Sequence, residues 1–245
     1  MDLAERAKHL VATAESQGIF VRLLGGVALY LLAPSARTHP ALIRSYKDID
    51  AVVKARDGGK LTPILQKEGF VPDRRFNALH GETRLLFWDE HDENLQLDVF
   101  VGTFQQCHRL ELLNGAENMT FTVTPTMLLL TKLQIVQLNE KDIRDIVTML
   151  YDWPLADDDQ GINRPVLAQI LGNDWGLFTT VNDALDIVSH HISDYLQNGE
   201  EQKAWHRLES LQQWIHDCPK TIRFRLREKI GRRMSWYELP EEVKR

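Results

Sequence analysis

"RLLGGVALYLLAPSARTHPALIRSYKDIDAVV", residues 22–53, is the stretch on which the fold turns. An apolar run breaks at Gly25-Gly26, resumes as "VALYLLA", and a second apolar run opens on Asp48-Ile49-Asp50. Both features cost stability in a chain that only has to fold, because glycine loses the most backbone entropy and neighbouring carboxylates repel. The first break reads as a strand passing through a glycine turn into a helix that Pro34 stops. Without a Cβ, the main chain there is open to a phosphate, and the helix N-terminus adds unpaired N–H donors and a positive dipole end. A tight turn that needs positive φ is the plainer reading of the same pair. In the second run, residues two apart on a strand share a face, so Asp48 and Asp50 project together while Ile49 and Ala51 pack on the other side. Magnesium suits such a pair, since it takes oxygen ligands from one or two carboxylates and completes its shell with water and substrate phosphates. A solvated acidic strand start is the alternative.

Working outward, residues 2–16 carry Leu3, Ala7, Leu10, Val11 and Ala14 at helical spacing, which predicts an opening amphipathic helix ended by Gly18. "IFVRLL" is a short strand, 34–47 a loop, "DIDAVVKA" a strand, and Gly58-Gly59 leads into the helix "KLTPILQKEGF". "TRLLFWDE", "LQLDVFVGTF" and "MTFTVT" read as adjacent strands, being rich in β-branched and aromatic residues between turn-forming stretches. Within the second of these, Asp98 has no packing reason to be present, and an ionised carboxylate buried without a partner is very unfavourable. Either it faces solvent, or its strand lies beside the Asp48–Asp50 strand and all three carboxylates meet a cation. From Pro125 onward the chain turns helical, first in "TPTMLLLTKLQIVQL" and then in "EKDIRDIVTMLYDW". The acidic, turn-rich "WPLADDDQGINRP" places a soft boundary near 153–163, followed by three or four amphipathic helices. The expected organisation is a core of interleaved strands and helices over 1–152, of α/β (α+β) class, plus a helical C-terminal domain over 153–245.

Composition narrows the function classes. Of 245 residues 43% are hydrophobic, enough for a substantial core, and the net charge of −6 disfavours nucleic-acid binding through overall electrostatics. Cys107 and Cys218 have no CxxC spacing and suggest neither a disulfide framework nor a zinc site. The N-terminus is unlike a signal peptide and the longest apolar run is too short to span a bilayer, so a cytoplasmic protein without a membrane partner is expected. No HExxH or GxSxG motif occurs, which leaves hydrolase readings little support. "KTIRFRLREKIGRR", residues 220–233, carries seven basic residues against one acidic and is either an RNA-docking segment or a solvated helix face.

Glycine pair, then DxD, then a lone Asp in a later apolar strand: together these resemble the signature of the nucleotidyltransferase superfamily, the polymerase β-like enzymes among them. The likeness covers roughly residues 15–152 and implies a mixed sheet flanked by helices. It implies that Gly25 and Gly26 contact the triphosphate of an NTP. It further implies that Asp48, Asp50 and Asp98 bind Mg2+, two ions in all, and serve as the catalytic set. The implied reaction is transfer of an NMP to a hydroxyl acceptor with release of pyrophosphate. Small bacterial nucleotidyltransferase-like proteins of the AbiEii type are a nearer resemblance. Arg44, four residues before the first Asp, matches them, as do Lys132, Lys141, Asp142 and Asp145. Tyr46 stands where those proteins commonly have Ser or Thr. By this resemblance Arg44 and Lys132 join the nucleotide site. The competing expectation is a non-catalytic member of the same fold, binding a nucleotide or a partner as a toxin–antitoxin component or regulator.

Remaining candidates have everyday readings. Lys132, in an otherwise apolar helix, must find an anion or snorkel to solvent. Asp142 and Asp145, with Lys141 and Arg144 nearby, read as a salt-bridged surface. His80 reads as a loop residue before a strand. Trp205, Trp214 and Trp236 read as core anchors of the helical tail.

Overall fold

The structure is a computed structural model and describes residues 2–239. The chain forms two compact units. The first comprises residues up to Leu32, Arg44–Phe104 and Leu110–Thr124; the second comprises Ala33–Ile43, Gln105–Arg109 and the chain from Pro125 onward.

In chain order the first unit contains α1 (Leu3–Ser16), β1 (Val21–Leu24), α2 (Gly25–Leu32), β2 (Asp48–Val53), α3 (Gly58–Lys67), β3 (Phe70–Pro72), α4 (Arg74–His80), β4 (Arg84–Asp89) and β5 (Gln96–Val101). Its five strands make one mixed sheet in the order β1-β2-β5-β4-β3. The β2–β5 pair is parallel, and the pairs β1–β2, β4–β5 and β3–β4 are antiparallel. The fold is therefore a mixed α/β sheet flanked by helices, as the alternation of patterns predicts.

Strand periodicity gives this sheet two unlike faces. Ile49, Ala51 and Val53 of β2 align with Leu97, Val99 and Val101 of β5, and all are buried. On that side Leu10, Val11 and Ala14 of α1 and Leu61 and Leu65 of α3 line a small apolar cavity together with Ile49, Ala51 and Leu97. Each leucine, isoleucine or valine side chain so removed from water contributes about 1.5–3 kcal/mol. The opposite face carries Asp48, Asp50 and Val52 beside Gln96, Asp98 and Phe100. A slip of β2 by one residue would drive both of its carboxylates into the α1–α3 core, so the apolar face fixes the register that displays them.

Two local differences from the sequence reading have simple causes. "MTFTVT" forms no continuous strand: only Thr122 bridges to Leu23, where Leu23 N donates to Phe121 O (2.8 Å) and Val123 N to Leu23 O (2.9 Å). It covers the outer edge of β1 with two hydrogen bonds, and composition alone does not distinguish that from a strand. His80 is not in a loop but closes α4, a helix started by the Asp73 carboxylate accepting from Phe76 N (2.9 Å).

The second unit is mainly helical: α5 (Pro125–Leu133), α6 (Glu140–Asp152), α7 (Arg164–Leu171), α8 (Trp175–Ser189), α9 (Glu200–Asp217) and α10 (Ile222–Ile230), with a helical turn at Ser35–Thr38. Asn139 and Asp142 form a capping box at the start of α6, satisfying orphan N–H groups at its first turn. The tryptophan expectation needs correcting: Trp205, Trp214 and Trp236 are half-buried, whereas Trp153 and Trp175 are buried. Amphipathic aromatic rings keep a polar edge near solvent, and the indole N–H of Trp214 donates to Arg164 O (3.2 Å). Among the described residues no helix is long and apolar enough to cross a membrane.

Candidate functional site

The polar face of the sheet gathers most of the residues singled out from sequence. Asp50 of β2 lies directly across from Asp98 of β5, and neighbours in register project to the same side. Asp48 precedes Asp50 by two and shares its face. The three differ in environment: Asp48 is exposed, Asp50 half-buried and Asp98 buried.

The glycine pair sits against this row. Gly25 follows Leu24, the cross-strand partner of Asp50, and has a φ of +66°. A Cβ on Gly25 would overlap the Asp50 carboxylate, so both the backbone angle and the space demand glycine. At Gly26 a Cβ would run into the Tyr46 ring and come within 2.8 Å of Arg44 Nη2. The Arg44 guanidinium is itself stacked 4.3 Å from the centre of the Tyr46 ring. The glycines therefore let an acidic and a basic side chain of this chain close onto the first turn of α2. Gly25, Gly26, Arg44, Asp48, Asp50 and Asp98 are brought together in the first unit.

One residue that sequence reasoning passed over dominates the electrostatics. Arg84, at the start of β4, faces Asp98 because Leu86, two residues on, is the cross-strand partner of Asp98. Its Nε donates to Asp98 Oδ1 (2.8 Å) and Oδ2 (3.0 Å), and its Nη2 donates to Oδ2. Burial works against the Arg84 charge, but the hydrogen bonds and charge of Asp98 and the charge of Asp50 outweigh it and hold the guanidinium above its ordinary pKa. Phe100 and Phe76 flank it, their ring centres 5.1 and 5.8 Å from the guanidinium carbon. Phe76 is carried by α4, which Asn77 fastens to β4 by accepting from Leu86 N (2.7 Å) and donating to Leu86 O (3.0 Å). A signal was present in the sequence: "TRLLFWDE" and "LQLDVFV" each set one charge, of opposite sign, in an apolar strand.

The donor chemistry suits a hard cation. Three carboxylates line one face, and at Gly25 the space of a missing side chain is taken by the Asp50 carboxylate. Among the described residues, however, no three acidic, histidine or cysteine side chains converge closely enough to enclose an ion, and both Asp98 oxygens are engaged by Arg84.

Lys132 and its neighbours lie in the second unit. Lys132 Nζ donates to Asp142 Oδ1 (2.8 Å) and pairs with Asp145 Oδ2 (3.1 Å). Asp142 and Asp145 are buried at 7% and 1% exposure, which corrects the surface reading of this pair. The helix α6 turns them inward, where they share the single positive charge of Lys132. Burial opposes the Lys132 charge, yet Asp145 and Asp142 together raise its pKa. The basic segment 220–233 forms α10 and the turn after it, with Arg223, Arg225 and Lys229 exposed beside the exposed apolar Ile222 and Leu226.

No protein-family model and no curated protein sequence matches the chain. Among solved structures, an antigenic nucleotidyltransferase-like protein from Paracoccidioides brasiliensis is similar at 15% identity with a TM-score of 0.41, over 89% of this chain and 94% of that one. Similarity at that level is distant and assigns no activity to this chain.

Proposed function

We propose that the polar sheet face is the active site of a metal-dependent nucleotidyltransferase, which transfers an NMP from an NTP to a hydroxyl acceptor and releases pyrophosphate. The observation that carries this reading is the register: Asp50 beside Asp98, Asp48 on the same face, and the glycine turn closed onto Asp50. Asp48, Asp50 and Asp98 are the residues that would hold magnesium. Bound there, it supplies charge that stabilises the entering and leaving oxygens of an in-line displacement. Gly25 and Gly26 would hold the triphosphate through N–H donors at the head of α2, where the helix presents its positive dipole end. Arg44, against Gly26, adds positive charge at the same place, a role its bidentate fork suits.

The exposed Asp48 opens one end of the acidic row to solvent. Incubation with each α-labelled NTP, magnesium and cell extract should transfer label to one class of acceptor, and the paired substitutions Asp48→Asn and Asp50→Asn should abolish transfer with the far-UV spectrum unchanged. Undiminished transfer by the double variant would refute the assignment.

One observation favours a second reading. Asp98 is fully engaged by Arg84, which is what a nucleotide-binding member without turnover would tolerate. NTP binding by calorimetry with no pyrophosphate release across a broad acceptor panel would select that alternative.

A further inference from the structure

The side chain best placed to govern this face is the one that already neutralises it. We propose that Arg84 is a built-in counter-cation of the carboxylate row, and that a divalent ion gains Asp98 only by displacing the Arg84 guanidinium. This rests on the reading of the face as a divalent-cation site.

Three observations carry it. First, both oxygens of Asp98 accept from Arg84, so a metal bound there competes with the guanidinium for the same two oxygens. Second, the Asp98 side chain is only 5% exposed, so water cannot replace the guanidinium and some cation must be present whether or not metal is bound. Third, Arg84 is free to leave in a way a structural arginine is not. Its side chain is 25% exposed, and the Phe76 and Phe100 rings offer it a surface beside the carboxylate. Arg22, on the same sheet face, shows the contrast. That residue is 4% exposed and is pinned by main-chain carbonyls, with Nε donating to Ala116 O (3.0 Å) and Nη1 to Val21 O (2.7 Å), besides its ion pair with Glu15.

Exchange has a defined consequence. Without metal the Asp98 charge is balanced internally and the sheet stays intact. With metal the guanidinium is released toward solvent. Intrinsic affinity for the ion is lowered by whatever it takes to break the Arg84–Asp98 pair.

The test is Mn2+ binding to the full chain, followed by calorimetry without nucleotide. Arg84→Gln should bind Mn2+ about tenfold or more tighter than the unaltered protein, and Mn2+ should raise its melting temperature by more. Arg84→Lys, which keeps the charge and loses the bidentate fork, should fall between them. In the unaltered protein, saturating Mn2+ should increase modification of Arg84 by phenylglyoxal, mapped by mass spectrometry. This last measurement stands even if the glutamine variant does not fold. Equal affinities in all three proteins, each lost on Asp48→Asn with Asp50→Asn, would overturn the role of Arg84 and leave the metal site standing. Absence of Mn2+ binding in every folded protein would overturn the site and this inference with it.

Discussion

Each unit of the molecule sets a half-buried cation against two carboxylates, and the two arrangements differ in what surrounds them. In the first unit Arg84 meets Asp98 with Asp50 alongside; in the second Lys132 meets Asp142 and Asp145. The lysine cluster is closed between α5 and α6: its lysine side chain is 15% exposed, and Asp142 and Asp145 are both buried. The arginine cluster continues into the exposed Asp48 and abuts a glycine turn whose backbone admits no side chain. Ion pairs of similar composition thus serve different ends: the closed one fastens two helices, and the open one keeps an acidic row assembled yet exchangeable.

The largest effect that sharpens this contrast is on stability. Lys132→Met removes the cation that the two buried carboxylates share and should cost about 3–5 kcal/mol in denaturant unfolding. Arg84→Gln should cost less, on the order of 1–3 kcal/mol, because its cluster reaches solvent at Asp48 and the amide retains a donor. Equal losses would erase the distinction between a closed and an open cluster.

Next in size are the glycines. Gly25→Ala combines strained φ with collision against Asp50 and should cost about 2–3 kcal/mol while disturbing the acidic row. Gly18 also has positive φ, at +75°, but open space around its Cβ, so Gly18→Ala should cost only the backbone term of about 1 kcal/mol. Matching thermal shifts for the two would show that the approach of Asp50 to the main chain carries no weight.

How much of this was legible in the sequence follows from what each pattern encodes. The period of a strand fixes that Asp48 and Asp50 share a face, and the glycine break fixes where β1 ends. Register is a different matter: nothing in "LQLDVFV" says which residue of β2 will stand beside Asp98, because pairing is set by the α1–α3 side of the sheet. Arg84 was readable in principle as a charge without a packing reason, the argument that singled out Asp98, yet at a strand start it passes for a solvated end. Asp142 and Asp145 look like surface because Lys141 and Arg144 lie beside them in sequence, while their true partner, Lys132, lies on the preceding helix. Helix α4 was missed although Pro72-Asp73 announces a capped start; its seven residues are too few for apolar periodicity to register.

The smallest expected effect concerns a buried histidine of the second unit, His108. The main-chain N–H of His108 donates to Gln134 Oε1 (2.7 Å), and its ring Nε2 lies 2.8 Å from Thr180 Oγ1. Burial depresses its pKa, with Asp174 opposing weakly. The folded state therefore binds fewer protons than the unfolded one just below the ordinary histidine pKa of about 6.5, so stability contributed by neutral His108 is present above that value and is lost as pH falls through it toward the folded pKa. His108→Gln should flatten the dependence of unfolding free energy on pH below about 6.5. An unchanged slope would show that other groups set it.

The central claim, that Asp48, Asp50 and Asp98 form one divalent-cation and nucleotide site beside the glycine turn, is tested most directly by titrating the full chain with an NTP in the presence and absence of magnesium. Binding should require magnesium and vanish in Asp48→Asn with Asp50→Asn while the fold persists. Equally tight binding in EDTA, or by the folded double variant, would contradict it.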